Sequence, residues 1–134
     1  MNNEELLTFA RHAMQMSYSP YSNCKVGAAL LAKNGKVYEG CNIENAAYGP
    51  TMCAERTAIF KAVSEGVTEF EKIAIVGGKN GVEDGLYPPC GVCRQVMREF
   101  CSLNFPVILG KKDGFVETTL EELLPYSFGP ENLN

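Results

Sequence analysis

Three cysteines in two short segments constrain this chain more than anything else in its 134 residues. One segment is Cys53-Ala54-Glu55-Arg56; the other is Pro88-Pro89-Cys90-Gly91-Val92-Cys93-Arg94-Gln95. Cys90 and Cys93 stand at i and i+3, so one turn at a helix start can aim both sulfurs at a single point. Cys53 must be brought to that point from elsewhere in the fold. A catalytic zinc needs three protein ligands, an open fourth position, and an acid or base nearby that is not itself a ligand. Glu55 is the candidate for that last group. Arg56 and Arg94 are the adjoining cations, each able either to donate to a ligand sulfur or to sit in solvent.

The rest of the composition narrows the class. A length of 134 residues predicts one domain, 1–134, and 46% hydrophobic residues supply a core without any staple. The net charge is −4 and no run of Lys or Arg is present, which argues against a nucleic-acid partner and for a small neutral substrate. The acidic start Met1-Asn2-Asn3-Glu4-Glu5 lacks the basic and apolar regions of a signal peptide. No apolar run is long enough to span a bilayer. A soluble, cytoplasmic protein with no membrane partner is expected. In a reducing compartment, six cysteines read as metal ligands before disulfides.

Residues 3–17 place Leu6, Leu7, Ala10, Ala13 and Met14, with Phe9 and Met16, on one broad side and read as a helix; Pro20 ends that run. His12 is the only imidazole, has no second His or Cys near it, and reads as a helix-edge residue. Strands are predicted at 25–31 and 36–42 around an Asn34-Gly35 hairpin turn. Further strands are predicted at 72–76, 106–109 and 115–118, the first of them central. Helix 53–65 turns Ala58, Ile59, Phe60, Ala62 and Val63 inward; helix 91–101 does the same with Val92, Val96, Met97 and Phe100. A last helix, 119–124, carries a Thr119/Glu122 capping box and stops at Pro125. Gly77-Gly78 reads as the opening of a polar loop. This order predicts an α/β fold: a mixed sheet of about five strands between helices, in three layers, α/β/α.

The two metal-bearing helices are expected to start side by side. The positive end of each helix favours a thiolate there. On a regular helix i and i+2 point apart, so Glu55 reaches the site only by curling back from the first turn. Asn42 and Glu44 follow the second strand and alternation puts them on one side. An amide beside a carboxylate suits sugar hydroxyls, and it also suits an ordinary polar loop.

Taken together, Cys-x-Glu and Pro-Cys-x-x-Cys form the signature of zinc deaminases, with Cys in the place of His. The chain resembles the cytidine deaminases in their small homotetrameric form. The likeness runs from Tyr18-Ser19-Pro20-Tyr21-Ser22 through Cys41-Asn42-Ile43-Glu44-Asn45-Ala46 to Leu123-Leu124-Pro125 and Phe128-Gly129-Pro130. It implies a cytidine deaminase-like fold, one Zn²⁺ per subunit on Cys53, Cys90 and Cys93, and hydrolytic deamination of cytidine and deoxycytidine in pyrimidine salvage. It implies that Glu55 carries a proton from water to N3 of the base and then to the leaving amine. Asn42 and Glu44 would hold the sugar hydroxyls, and the Ala54 backbone would meet the base edge. Arg56 would donate to ligand sulfur and draw off negative charge from the three thiolates. Tyr48 and Phe128 resemble residues that neighbouring subunits lend to one another, so a homotetramer would complete the sites. Cys24 falls at a substrate-side position that is often Phe in relatives; a small buried thiol is its other reading.

Other readings fit fewer of these residues. A structural zinc module would take a fourth ligand from Cys24, Cys41 or Cys101, but leaves Glu55, Asn42 and Glu44 without a use. A redox C-x-x-C leaves Cys53 and the double proline unexplained. Deaminases of nucleotides or polynucleotides typically show His at the position of Cys53 and need basic groups for phosphate. An aminonucleoside antibiotic such as blasticidin S is a further substrate class; Asn42-Ile43-Glu44-Asn45 fits the ribonucleoside form better.

Overall fold

The computed structural model describes residues 1–134. Asn2 starts α1 (Asn3–Met14) with a capping box: its side chain accepts from the Glu5 N–H, and Glu5 accepts from the Asn2 N–H. The helix ends at Met14, short of 17, because the chain then turns to bridge Tyr18 with Ile43. Strands β1 (Cys24–Ala32) and β2 (Val37–Cys41) form the hairpin predicted around Asn34-Gly35. After them come α2 (Ala54–Ser64), β3 (Phe70–Lys79), α3 (Gly91–Phe100), β4 (Pro106–Lys111), β5 (Gly114–Thr119) and α4 (Leu120–Leu123). Thr119 and Glu122 form the predicted capping box of α4. No helix is long and apolar enough to cross a membrane.

The sheet runs β2-β1-β3-β4-β5, and only β3 and β4 are parallel. Strand alternation sorts the core into two halves. Ala29, Leu31, Ala74, Val76 and Ile108 meet Leu6, Leu7 and Ala10 of α1 on one face. Ala28, Leu30, Ile73, Ile75 and Val107 meet α2, α3 and α4 on the other, through Ala58, Met97 and Leu120. The architecture is the three-layer α/β/α mixed sheet read from the sequence. The inward side of each helix is narrower than the apolar arc suggested. Phe60 is 43% exposed and Val92 56%, since each sits one residue around from the buried stripe of its helix.

Strand β3 continues through Gly77 and Gly78, which were expected to open a loop. A Cβ at Gly78 would lie 1.6 Å from the Val82 carbonyl oxygen, and one at Gly77 would lie 2.7 Å from the Tyr87 ring. These glycines let the loop after β3 fold back onto the strand.

Gly40 plays the same part for α2. A Cβ there would lie 2.4 Å from the Ala54 carbonyl oxygen and 2.5 Å from the Ala58 nitrogen, so β2 and α2 touch backbone to backbone. Gly40→Ala is expected to cost about 1–3 kcal/mol of stability, read as a lower urea midpoint at unchanged m-value. It should also slow turnover, because Ala54 is the neighbour of Cys53 and Glu55. Wild-type stability and activity in this variant would show that the contact yields without consequence.

Arg98 organises the other end of the chain. It is 7% exposed, donates from Nε to Ser127 Oγ at 2.8 Å, and pairs with Glu131. Gln95 Nε2 donates to the Phe128 carbonyl at 2.9 Å. Residues 127–131 are thereby fastened to α3.

Candidate metal centre

Both α2 and α3 begin with a cysteine in the N-cap position. Cys53 (φ −76°, ψ 154°) and Cys90 (φ −68°, ψ 170°) are extended, and neither side chain caps its own helix. The sulfurs therefore turn outward from the helix ends toward each other, with the first-turn N–H groups behind them. Sγ of Cys90 lies 3.6 Å from Sγ of Cys53 and 3.5 Å from Sγ of Cys93. All three sulfurs lie within 4.8 Å of one another. Tetrahedral zinc with Zn–S bonds of about 2.3 Å has S···S edges of about 3.8 Å. The donor set thus fits a zinc ion, with a fourth corner left for a ligand that is not protein.

The position of Cys53 outside α2 also answers how Glu55 reaches the same place. The i, i+2 rule of a regular helix does not apply across an extended N-cap. Glu55 is 4% exposed and lines the cleft that also contains Cys53 and Cys90. Burial pushes its carboxyl up to about 7; the Cys53 thiolate adds to the rise, while Arg56 opposes it.

Arg56 Nη2 donates to Cys53 Sγ at 3.4 Å, and its Nε is buried with no partner. Hydrogen bonding from Cys93 and then from Arg56 draws the Cys53 thiol down to about 5, against its burial. Cys93 is held well above the ordinary thiol range by its bond to Cys53 and by burial. Cys53 and Cys93 are thus two unequal thiols coupled to each other, and a divalent cation, which binds thiolates, would displace the proton that Cys93 retains. Arg94 makes a different contact from the one its place in the motif suggests. Its Nε donates to the Pro89 carbonyl at 2.7 Å and its Nη1 to the Leu123 carbonyl at 2.6 Å. It fixes the approach to α3 against the end of α4 and has no donor contact with sulfur.

The cleft in front of the sulfurs has a volume of about 190 Å³, and Asn42, Ala54 and Glu55 line it with Val26 and Tyr87. Asn42 is firmly held: its Oδ1 accepts from the Val26 N–H at 2.9 Å and from Ser17 Oγ, and its Nδ2 donates to the Cys24 carbonyl at 2.8 Å. Glu44 lines an adjoining cleft of about 310 Å³ with Tyr21, Ser22 and Tyr48, and Thr51 borders both. Its carboxylate accepts from the Ser22 hydroxyl and from the N–H groups of Ser22 and Tyr21, which hold it below the usual carboxylate range.

The remaining predicted residues sit farther out. Cys24, half-buried at the start of β1, does not line the metal cleft. Tyr48 is 83% exposed at the rim of the Glu44 cleft. Phe128 is 58% exposed on the fastened tail and lines neither cleft of its own chain. His12 is an exposed helix residue whose Nδ1 meets Glu39 at 2.7 Å. Sequence reasoning missed Tyr87 and Val26. Val26 was legible as an inward strand position; Tyr87, in a loop of turn residues, carried no periodic signal.

The comparisons with known proteins point one way. The family described as "Cytidine and deoxycytidylate deaminase zinc-binding region" matches residues 1–108. A protein of Sporosarcina psychrophila named cytidine deaminase is 49% identical, covering 100% of this chain and 96% of its own length. Another of that name, from Halalkalibacterium halodurans, is also 49% identical, covering 100% of this chain and 99% of its own. The crystal structure of cytidine deaminase from Burkholderia pseudomallei superposes with a TM-score of 0.88 at 44% identity, covering 96% of this chain and 100% of that one. By sequence over nearly its whole length, and by fold, this chain belongs to the cytidine and deoxycytidylate deaminase zinc-binding family.

Proposed function

We propose that this protein hydrolytically deaminates cytidine and deoxycytidine to uridine and deoxyuridine with release of ammonia, in pyrimidine salvage. Residues 1–134 act as one catalytic domain carrying one Zn²⁺. The observation that carries the reading is a buried carboxylate, Glu55, that shares a cleft with Cys53 and Cys90, two of three clustered thiols. Relatives of like length that bear the name cytidine deaminase support it.

Cys53, Cys90 and Cys93 hold the zinc, which when bound supplies Lewis acidity that makes water a nucleophile at neutral pH. Glu55 is outside the thiol cluster, so its carboxylate is available for proton transfer. It takes a proton from the attacking water, delivers it to N3 of the base, and then serves the departing amine. Water adds at C4, the C4–N4 bond breaks, and the products are a uracil ring and ammonia. Arg56, bonded to Cys53 Sγ, offsets the negative charge of the thiolates. The Ala54 backbone meets the base edge. Asn42 and Glu44 take the sugar hydroxyls, each preset by bonds to its own surroundings.

Assembly belongs to the same reading. Tyr48 and Phe128 are large aromatic side chains that one chain leaves in solvent, and Phe60 and Val92 add apolar exposure on α2 and α3. They fit a homotetramer in which Tyr48 and Phe128 complete a neighbour's cleft. Six free thiols suit the reducing cytoplasm. The test is loss of cytidine absorbance on addition of the protein, beside light scattering of the same sample. Turnover by a particle of about four chains, lost on chelation and restored by zinc, is the expected outcome. A zinc-loaded protein that leaves cytidine and deoxycytidine intact would overturn the activity, and an active monomer would overturn the shared site.

A further inference from the structure

We propose that Tyr87 is the specificity-determining aromatic wall of the metal cleft, seated on Gly77 and coupled to Cys24. The inference rests on the deaminase reading for the identity of its ligand, a pyrimidine ring, while its geometry stands on the sheet alone.

The register of β1 and β3 pairs Val26 with Gly77 and Cys24 with Lys79. Directly opposed residues share a face, so Cys24, Val26 and Gly77 all point to the side that carries α2, α3 and the sulfurs. Ala28 and Ile75, the next pair on that face, belong to the core beneath α2. Gly77 interrupts this row with a side-chain-sized gap. The Tyr87 ring fills the gap: a Cβ at Gly77 would stand 2.7 Å from Cγ and 2.8 Å from Cδ2 of that ring. The far side of the ring borders the cleft, where Tyr87 is the one aromatic among residues that include Val26, Asn42, Cys53 and Glu55. Cys24 stands two residues before Val26 on the same face of β1, the face on which the ring lies; burial, then Cys24, then Asp84 raise the Tyr87 hydroxyl above its usual range.

A flat ring at the edge of a small cleft binds a planar heterocycle and limits its size. Cys24 on β1 is too short to do this, and its thiol leaves room for the tyrosine. One wall position is therefore shared between two side chains: a large one at 87 requires a small one at 24 and none at 77. No other aromatic of the chain borders this cleft.

The test uses the zinc-loaded protein and four variants: Tyr87→Phe, Tyr87→Ala, Cys24→Phe, and Tyr87→Ala combined with Cys24→Phe. Binding of uridine, which does not react, is measured by calorimetry beside KM and kcat for cytidine. Tyr87→Ala should weaken uridine binding and raise KM by about 10-fold or more, with kcat changed much less and zinc content unchanged. Tyr87→Phe should stay within about 3-fold of wild type, because the ring and not the hydroxyl forms the wall. Cys24→Phe alone should impair binding by crowding the ring, and in the Tyr87→Ala background it should recover most of the loss, a coupling that independent sites do not give. Additive losses in the double variant, or wild-type uridine binding in Tyr87→Ala, would overturn the proposal. Should Tyr87→Ala lose zinc or melt early, the Cys24→Phe variant decides by itself, since unimpaired binding there refutes the shared wall. Uridine binding without cytidine turnover in wild type would overturn the deaminase reading and leave the wall intact; no nucleoside binding at all would overturn both.

Discussion

Glu55→Gln is expected to lower kcat by about 100- to 10,000-fold while the protein keeps its zinc and its fold. The amide has the shape of the carboxylate, so the 4%-exposed site loses no volume. What it loses is the capacity to carry two protons in turn, the first from water to N3 and the second from the C4 hydroxyl to the departing amine. KM should change little, because the role proposed for Glu55 is on the transferring proton and not on the sugar or the base faces. Removing a buried acid also removes the cost of holding its charge away from water, so the melting temperature should hold or rise. Single-turnover absorbance on cytidine, with zinc content measured on the same sample, checks all of this. A Glu55→Gln enzyme within tenfold of wild-type kcat would sink the assigned proton carrier and shift the role to another group in the cleft.

Cys93→Ala should have the second large effect. Cys93 is fully buried, and its sulfur is the inner corner of the cluster. Its loss leaves two sulfurs, one of them on the exposed residue Cys90. Zinc after dialysis should fall below about a tenth of an ion per chain, turnover should vanish, and the melting temperature should drop because metal binding contributes directly to the folded state. Cys53→His is the informative contrast. Imidazole is itself a zinc ligand, and the deaminase signature accommodates His at this place, so that variant should retain metal. One zinc per chain in Cys93→Ala would show that the ion is held elsewhere.

The site was more legible than its frame in some places and less in others. Cys90 and Cys93 declared themselves because an i, i+3 pair behind a proline leaves little freedom at a helix start. Cys53 declared itself only through the company of Glu55. The reach of Glu55 was not legible, since it depends on Cys53 being an extended cap, a backbone fact of about one residue. Gly77-Gly78 misled because turn propensity is local, whereas the reason for those glycines is the return of the loop onto β3. Arg94 and Arg98 look alike in sequence; only tertiary packing sends the first to the Pro89 and Leu123 carbonyls and buries the second under the tail. Phe60 and Val92 read as core because they are apolar, but one chain has no second layer to cover them.

The single parallel pairing of the sheet has a bearing on how this protein is made. Strands β3 and β4 can be joined only by a crossover, and α3 with its two cysteines is that crossover. Cys53 is 37 positions upstream of Cys90, on the other side of β3. A nascent chain therefore holds the single sulfur of Cys53 long before the Cys90 and Cys93 pair can join it. Closing that loop is among the slower events of folding, because non-local contacts are made only after their entropy has been spent. Zinc should thus be captured late and released early, and refolding in its absence should stall with the crossover open. The rate at which cells supply the ion then becomes a rate of protein maturation.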